Sequence, residues 1–457
     1  MSAVESPRTV LVGVQLPGVD DAEHAASLTE LARLAKTLGL HVVASVTQKR
    51  AALAAAAVIG EGKLRELARQ TGGSGVIPSG VPSHRVRRGG VRVADDAAAA
   101  AEDAGTDADE PGAAPPPEPA TVVLVDHDIS PSQARNLERA TGAEVLDRSA
   151  VILEIFQRHA RSREARLQVE IARLAYMAPR LRESGGRDRQ GGGIGSKGAG
   201  ESHLELDRRK VRDRIAQLRR DLAAIEQDSA TRRQRRADQA TVAIVGYTNA
   251  GKSSLMRALT GTDLLVADQL FATLDTTVRA LHPESVPRIL VSDTVGFIKK
   301  LPHDLVASFR STLDEAREAS LLLHVVDAAD ADFPSQVEVT TAVLADIGAD
   351  ALPRLLVLNK ADRLDDARRA ALVAAYPEAV LLSAKSAADV AALRARLIEF
   401  FERDMIEDEL LIPYSQQRLV GEIHAHCRVL SERCDEAGRH LRIRAHPAVV
   451  ARLRAAR

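Results

Sequence analysis

Hydrophobic residues in the first 150 positions follow two alternating patterns. Short β-branched runs predict strands, and apolar residues spaced three and four apart predict helices. The predicted strands cover 10–14, 40–46 and 121–125, and the predicted helices cover 21–38 and 61–70. Ser130 and Pro131 then open a further helix, because they suit the N-cap and first helical positions. This alternation predicts an α/β subdomain over residues 1–150.

Residues 71–120 interrupt this pattern with Gly and Pro clusters, an Ala run and many acidic side chains. The acidic residues are Asp95, Asp96, Glu102, Asp103, Asp107, Asp109, Glu110 and Glu118. Such a segment buries too little apolar surface to offset the entropy that is lost on ordering. We therefore predict a disordered acidic insertion within the subdomain.

Two heptad seams of equal length follow, and they predict a pair of packed helices. The seams are Leu167, Ile171, Leu174, Ala178 and Leu181, then Val211, Ile215, Leu218, Leu222 and Ile225. A Gly-rich segment at 184–201 separates the seams and carries Arg187, Arg189 and Lys197. Residues 151–236 are thus predicted to form an antiparallel helical hairpin with a flexible basic tip.

The second helix of this predicted hairpin is strongly basic. It carries Arg208, Arg209, Lys210, Arg212, Arg214, Arg219 and Arg220, and its exit carries Arg232, Arg233, Arg235 and Arg236. A solvated helix face and a phosphate-contacting surface both explain such charge. The glycine-rich basic tip favours RNA, because it can enter a confined polyanionic site.

The second half of the chain returns to alternating strands and helices. Strands are predicted at 242–245, 288–292, 355–358 and 379–382. This pattern predicts a mostly parallel sheet with helices on both faces over residues 240–404. A small α/β domain is predicted over residues 405–457, with strands at 410–414 and 440–446 and a helix at 416–433.

Composition narrows the class of protein. A chain of 457 residues suits about three domains. The net charge of −1, from 62 basic and 63 acidic residues, excludes a uniformly basic nucleic-acid coat. Two cysteines fit a reducing cytoplasm, and the lack of an apolar leader or of a run of about 18 apolar residues argues against secretion and membrane spanning.

The stretch TVAIVGYTNAGKSSL at 241–255 places a GxxxxGK[ST] motif between a predicted strand and a predicted helix. The loop residues are Gly246, Tyr247, Thr248, Asn249, Ala250, Gly251, Lys252 and Ser253. Backbone N–H groups of such a loop and the N-terminus of the following helix cradle phosphates. Lys252 is predicted to reach the β- and γ-phosphates, and Ser253 is predicted to ligate Mg²⁺.

Three later motifs complete a predicted GTP site. They are Asp293, Thr294, Val295 and Gly296; then Asn359, Lys360, Ala361 and Asp362; then Ser383, Ala384 and Lys385. Asp293 is predicted to hold Mg²⁺ through water, and the Gly296 N–H to contact the γ-phosphate. The Asp362 carboxylate suits the N1 and N2 protons of guanine, and the Ala384 N–H suits guanine O6. All three motifs follow strands, where open α/β sheets bind ligands.

The ordered motifs GYTNAGKS, FATLD, DTVG, NKAD and SAK resemble those of translation-factor-class GTPases, and within them the HflX family of ribosome-associated GTPases. Segments outside this domain are similar too, among them VTQKR, IGEGKLREL, ISPSQARNLE and RQGGGIGSKGAGESHLELDRR. The resemblance runs from about residue 38 to residue 401, apart from the insertion.

By this resemblance, the sequence FATLD is switch I and comprises Phe271, Ala272, Thr273, Leu274 and Asp275. The resemblance implies that Thr273 binds Mg²⁺ and that Lys252, Thr273 and Gly296 are the catalytic residues. Thr276 and Thr277 are nearby alternatives that spacing alone does not exclude.

Phe297 follows Gly296 where Ras-like GTPases carry the glutamine that orients the attacking water. A phenyl ring cannot orient water by hydrogen bonding. We therefore predict slow intrinsic hydrolysis that accelerates when a ribosome orders the switches, or when another group positions the water.

These features predict a monomeric cytoplasmic enzyme that converts GTP to GDP and phosphate. The resemblance implies a partner, the large ribosomal subunit, contacted through ribosomal RNA, and a role in ribosome splitting or rescue under stress. Two alternatives stay open: a GTPase acting on another RNA or on an RNA-modification complex, and a coiled-coil scaffold with incidental hydrolysis. Whether the N-terminal subdomain uses ATP is left open, although the sequence shows no second phosphate loop.

Overall fold

A computed structural model of the protein describes residues 6–77, 118–184, 199–234, 239–261, 270–286, 288–299 and 310–456. The chain divides into two compact units, Met1–Arg148 and Ser149–Arg457. Both units combine strands and helices, so the predicted α/β class is confirmed. None of the helices in the described residues carries an apolar stretch long enough to traverse a bilayer.

The first unit is built on a four-stranded parallel sheet. Its strands are β1 (Arg8–Gln15), β2 (His41–Lys49), β3 (Val122–Val125) and β4 (Glu144–Asp147), and its helices are α1 (Asp21–Thr37), α2 (Glu61–Thr71) and α3 (Pro131–Thr141). The strand order is β2-β1-β3-β4. Val10, Val12 and Val14 of the central strand are buried with Val123 and Leu137 in one core. The period-two spacing of these valines explains why β1 has one face in that core.

Helix starts in this unit follow capping chemistry. The Asp20 carboxylate accepts a hydrogen bond from the Glu23 N–H at 2.7 Å, at the start of α1. At α3, the Ser130 hydroxyl accepts from the Gln133 N–H at 3.2 Å, and the Gln133 side chain accepts from the Ser130 N–H at 2.9 Å. This reciprocal pair is a capping box. The helix predicted to open at Ser130 and Pro131 is therefore confirmed.

The flanks of the predicted acidic insertion pack against the first unit. Residues 78–117 lie outside the described residues. The Ala120 N–H donates to the Gln70 carbonyl at 2.8 Å, and the Gly75 N–H donates to the Ala140 carbonyl at 2.9 Å. Ala120 is also buried. Residues 72–77 and 118–120, the two ends of the segment predicted to be mostly disordered, are therefore held against the first unit by backbone hydrogen bonds.

Three helices precede the second sheet: α4 (Arg148–His159), α5 (Arg163–Ser184) and α6 (Ala199–Gln234). Arg214 of α6 donates to Glu170 of α5 at 2.8 Å. Glu170 and Arg214 lie at similar distances along the chain from the connection between α5 and α6. Their contact therefore indicates that the two helices run antiparallel, as predicted. Residues 185–198 of the predicted tip lie outside the described residues. Helix α6 already begins inside the range predicted for the tip, so its glycines did not prevent helix formation from residue 199 onward.

The second sheet has six strands. They are β5 (Ala240–Gly246), β6 (Thr277–Ala280), β7 (Ile289–Asp293), β8 (Leu321–Asp327), β9 (Arg354–Asn359) and β10 (Val380–Leu381). The strand order is β10-β9-β8-β5-β7-β6, and every pair is parallel except β6 with β7. The carboxyl ends of β5, β7, β9 and β10 therefore meet at one edge, where each predicted motif begins.

Helices cover both faces of this sheet. They are α7 (Lys252–Thr260), α8 (Arg310–Arg317), α9 (Phe333–Asp346), α10 (Asp366–Ala375) and α11 (Ala387–Glu402). One core joins Leu259 of α7 and Leu397 of α11 to Leu323 of β8. The opposite face packs Leu322 of β8 against α8 and α9, through side chains such as Leu344. Successive side chains of β8 therefore lie in two different cores, one on each face of the sheet.

The C-terminal part is a three-stranded antiparallel sheet with two helices. Its elements are β11 (Ile406–Ile412), α12 (Gln417–His426), β12 (Arg428–Asp435), β13 (Gly438–Ala445) and α13 (Pro447–Ala455). The predicted helix at 416–433 is wrong beyond His426, where β12 pairs with β13. The Leu, Glu and Arg residues there suit a helix intrinsically, but backbone pairing with β13 overrides that propensity.

Candidate nucleotide-binding site

The loop between β5 and α7 has a backbone that two glycines make possible. Gly246 has φ +146°, and a Cβ there would overlap the Val325 carbonyl oxygen. Gly251 has φ +91°, and a Cβ there would overlap the Asn359 side-chain nitrogen. Both positions therefore require glycine. The loop consequently packs directly against β8 and the end of β9, and α7 begins at Lys252.

Lys252 is buried under this loop. Its ammonium donates to the carbonyl oxygens of Gly246 at 3.1 Å and Tyr247 at 2.8 Å. Burial lowers its pKa to about 8; Asp293 opposes that shift and Lys360 adds to it. A desolvated cation held in place by two carbonyls is suited to bind the phosphates of a nucleotide.

Three oxygen-bearing side chains converge beside Lys252. The Ser253 hydroxyl lies 2.6 Å from the Thr273 hydroxyl and donates to the Asp293 carboxylate at 2.7 Å. Burial raises the pKa of Asp293, while Lys252 and the hydrogen bond from Ser253 oppose the shift. The second carboxylate oxygen of Asp293 is buried without a hydrogen-bond partner among the described residues. Hard oxygen donors with one unpaired carboxylate oxygen fit a Mg²⁺ site.

Thr273 is the threonine that the structure brings to this cluster. Thr277 begins the edge strand β6, and the Thr276 hydroxyl is buried without a partner among the described residues. Of the three candidates left open by spacing, only Thr273 contacts Ser253 in the described part of the chain. The geometry therefore favours Thr273 as the metal-binding threonine.

The segment after β7 lies against the phosphate loop. A Cβ on Gly296 would lie 2.8 Å from the Lys252 ammonium nitrogen. The Phe297 N–H donates to the Gly246 carbonyl at 3.1 Å, and the Thr248 N–H donates to the Phe297 carbonyl at 2.8 Å. The Phe297 side chain is buried in the core that contains Leu313. The phenyl ring therefore points into the protein interior, where it cannot touch an attacking water.

The motifs that are predicted to read guanine lie together at the ends of β9 and β10. The Asn359 amide donates to the Ala250 carbonyl at 2.9 Å, which ties the phosphate loop to β9. Asp362 accepts from Ser383 at 2.7 Å and from Lys385 at 2.9 Å, and the Lys385 bond is the main cause that lowers the pKa of Asp362. This carboxylate is therefore an ionised acceptor.

Ala384 has a backbone partner that the sequence did not indicate. Its N–H donates to the Asn359 side-chain oxygen at 3.0 Å. To donate to guanine O6 as predicted, the Ala384 N–H must either divide its hydrogen bond between O6 and Asn359 or break its bond to Asn359. Lys360 donates to the Asn249 carbonyl at 2.7 Å and to Asp327 at 2.8 Å, so its stem crosses from β9 to the phosphate loop.

One cavity of about 400 Å³ connects these motifs. The predicted residues that line it are Thr248, Asn249, Gly251, Lys252, Ser253, Phe271, Ala272, Thr273, Thr294, Gly296, Asn359, Lys360, Asp362, Ser383, Ala384 and Lys385. The other predicted residues, which do not line it, are Gly246, Tyr247, Ala250, Leu274, Asp275, Asp293, Val295 and Ala361. Sequence reasoning missed Ser254 and Arg363, although each directly follows a predicted motif. Extending each motif by one residue would have found both.

Asp275 lies away from the cavity, in contact with the start of α5. Its carboxylate accepts from the Ser162 N–H at 3.1 Å and from the Arg161 N–H at 3.3 Å. Phe271 packs edge-on against Phe156 of α4, with ring centroids 4.6 Å apart. The segment predicted as switch I, residues 271–275, therefore lines the cavity and also contacts the base of the helical hairpin.

A phosphate loop at the end of a parallel sheet, a Ser-Thr-Asp oxygen cluster and an NKAD-type base site define a P-loop GTPase domain. Three family models match the chain: GTP-binding GTPase N-terminal at 25–76 and 113–157, GTP-binding GTPase Middle Region at 159–236, and 50S ribosome-binding GTPase at 241–360. The chain is 61% identical to GTPase HflX of Gluconacetobacter diazotrophicus, covering 98% of this chain and 97% of that protein. The protein belongs to the HflX family of GTPases.

A second relative agrees with this assignment. GTPase HflX of Escherichia coli is 43% identical over 70% of this chain and 76% of its own length. Among solved structures, a GTP-binding protein from Sulfolobus solfataricus in complex with GDP is 22% identical, with a TM-score of 0.42, over 85% of this chain and 99% of that one. The similarity to the Gluconacetobacter protein extends almost through the whole chain, beyond the range 38–401 that the motifs covered.

Proposed function

We propose that this protein uses its GTPase site with Mg²⁺ to control binding to the large ribosomal subunit. The observation that carries the proposal is the convergence of Ser253, Thr273 and Asp293 beside the buried Lys252. Lys252 would hold the β- and γ-phosphates, and the three oxygen-bearing side chains would hold the metal. Bound Mg²⁺ neutralises the charge that develops on the transferred phosphoryl group.

The hydrolysis proposed here is slow without a partner. The Phe297 ring is buried and carries no hydrogen-bonding group, so it does not orient water. Thr273 and the Gly296 N–H would order the γ-phosphate, and an ordered switch I would complete the site. A ribosome that stabilises switch I would therefore accelerate hydrolysis.

The ribosomal partner is supported by the family models and by surface charge. Residues 241–360 match a model described as 50S ribosome-binding GTPase. Helix α6 presents exposed basic side chains, among them Arg209, Lys210, Arg219 and Arg220. Phosphate-backbone contacts are the usual role of such a cluster. The proposed partner surface is ribosomal RNA of the large subunit, reached in the cytoplasm.

We further propose that GTP-bound protein separates ribosomal subunits, as part of splitting or rescue under stress. The test is sedimentation of intact ribosomes after incubation with the protein and a non-hydrolysable GTP analogue, GTP or GDP. GTP turnover is measured in parallel, with and without large subunits. We expect free subunits with the analogue, none with GDP, and turnover that large subunits stimulate. Intact ribosomes in every nucleotide state would refute splitting; turnover unaffected by large subunits would refute ribosome-stimulated hydrolysis.

A further inference from the structure

Residues 270–275 touch two parts of the second unit at once. Thr273 lines the cavity and contacts Ser253, whereas Leu274 is buried and Asp275 lies outside the cavity. Phe271 lines the cavity and also packs against Phe156. A six-residue segment thus joins the predicted metal site to the base of the helical hairpin α5–α6.

The Asp275 carboxylate binds the turn that leads into α5. It accepts from the backbone N–H groups of Arg161 and Ser162 at 3.3 and 3.1 Å, and from the Ser162 hydroxyl. The Ser162 hydroxyl in turn accepts from the Ala165 N–H at 3.0 Å. The first N–H groups of a helix have no partner within the helix, and an anion is favourable near them. Ser162 is therefore the N-cap of α5, and Asp275 holds Ser162 by accepting from its N–H and its hydroxyl.

Phe271 holds the same segment by packing. Its φ is +57°, which is a strained conformation for a bulky residue. Its ring meets the Phe156 ring at 87° with centroids 4.6 Å apart, and both rings are buried. Such strain persists only where surrounding contacts stabilise it. Phe271 lies two residues before Thr273, so the packing of Phe271 and the Thr273–Ser253 contact constrain the same short stretch of backbone.

We propose that Asp275 is the residue through which nucleotide state and the base of the helical hairpin influence each other. When Thr273 is engaged at the metal and γ-phosphate, residues 271–275 are held and Asp275 holds Ser162, the N-cap of α5. When that engagement ends after hydrolysis, the segment is released and Ser162 loses the carboxylate that holds it in the capping position. This inference rests on the proposed function of the site, because it requires Thr273 to respond to the γ-phosphate.

The coupling is reciprocal. Any partner that holds the start of α5 in its capped form also favours the arrangement of switch I in which Thr273 faces Ser253. A ribosome bound to the hairpin would therefore stimulate hydrolysis without touching the nucleotide. This gives a route for activation that does not need the missing glutamine.

Hydrogen exchange of the full-length protein tests the coupling directly. The amides to follow are those of Arg161, Ser162 and Ala165, in protein loaded with GDP or with a non-hydrolysable GTP analogue. We expect these amides to exchange at least about tenfold more slowly with the analogue, as a coupling of ordinary size would give. Equal exchange in both nucleotide states of the wild type would overturn the proposal.

Asp275→Asn is the decisive variant, because it removes the charge and replaces one of the two acceptor oxygens by a donor. The backbone N–H groups of Arg161 and Ser162 use one carboxylate oxygen and the Ser162 hydroxyl uses the other, so the amide cannot accept from both. Exchange at the start of α5 should be fast in this variant and should no longer depend on the nucleotide. The matched control is Asp20→Asn, since Asp20 caps α1 in the first unit through the Glu23 N–H. That control should retain the nucleotide dependence at α5. Retained dependence in Asp275→Asn would overturn the assignment to Asp275.

The ratio of turnover with and without large subunits gives a second readout. We expect this ratio to fall by about tenfold in Asp275→Asn and to stay at the wild-type value in Asp20→Asn. A wild-type ratio in Asp275→Asn would remove Asp275 from the activation route. If wild-type turnover is not stimulated at all, the proposed ribosome-stimulated hydrolysis fails, whereas the exchange experiment still decides the coupling.

Discussion

At the scale of a single residue, Lys252 is held by the phosphate loop in a position that suits the binding of phosphate. Its ammonium is buried and bonded to two loop carbonyls, and its pKa is lowered to about 8. A bound polyphosphate favours the charged form of this side chain and raises its pKa again. Nucleotide binding should therefore be linked to a proton.

The sign of this linkage can be worked out from the pKa. Well below pH 8, at pH 7 and lower, the free protein already carries nearly all of the Lys252 proton, so binding takes up almost none. Above pH 8 the proton must be acquired, and GDP affinity should fall about fourfold between pH 7 and 8.5. Titration calorimetry in two buffers of different ionisation enthalpy measures the uptake. Lys252→Arg, which stays charged, should bind with little pH dependence over this range; proton-free binding by the wild type at pH 8.5 would contradict the prediction.

Asp362 should decide the choice of base. Replacing it by Asn removes the acceptor for the guanine N2 protons, while the new amide can donate to the carbonyl that xanthine carries there. Loss of a charge-assisted bond should weaken GDP on the order of 10- to 100-fold and favour xanthine nucleotides. Competition binding with GDP and XDP measures this change. Asp365→Asn is the control, because Asp365 caps α10 through the Arg368 N–H and does not line the cavity. Unchanged GDP selectivity in Asp362→Asn would refute the assignment.

At the scale of secondary-structure elements, sequence patterns predicted the features that depend on residues close together in the sequence. Strands that end in a motif, such as β7 and β9, were predicted within one or two residues, because β-branched runs and following polar residues lie side by side in the sequence. The strand β12 was missed because its pairing with β13 overrides helix-forming residues. The contact between Asp275 and Ser162, the N-cap of α5, was missed because the two residues are 113 apart in the sequence. The cavity residues followed from motifs; the contacts between switch I and the hairpin did not.

The basic face of α6 is predicted to contribute to binding of the large ribosomal subunit. Arg219 and Arg220 are exposed, and replacing both by Gln should weaken binding to large subunits. If both contact phosphate, the slope of log affinity against log salt should decrease by about 1.5. Sedimentation binding at several salt concentrations measures the slope.

The control for this helix is a pair of exposed arginines in the GTPase domain. Arg368 lies on α10 and Arg396 on α11, and the double change to Gln removes the same charge. Its salt slope should equal that of the wild type. If both double variants lower the salt slope equally, the change in slope reflects the net charge of the protein. The exposed arginines of α6 would then have no specific role in binding.

At the scale of the whole molecule, the second unit holds both parts that a nucleotide-controlled RNA binder needs. Its six-stranded sheet carries the GTP site, and its helix α6 carries the basic surface. Asp275 and Phe271 connect the two through direct contacts. A change at the γ-phosphate can thus reach the hairpin through a short segment, which is the physical basis of the proposed switch.

The affinity of the full-length protein for purified large ribosomal subunits, measured with a non-hydrolysable GTP analogue and with GDP in the same buffer, tests this switch most directly. We predict that binding is at least about tenfold tighter with the analogue, which corresponds to about 1.4 kcal/mol of coupling. Equal affinity in the two nucleotide states would contradict a nucleotide-controlled ribosome binder.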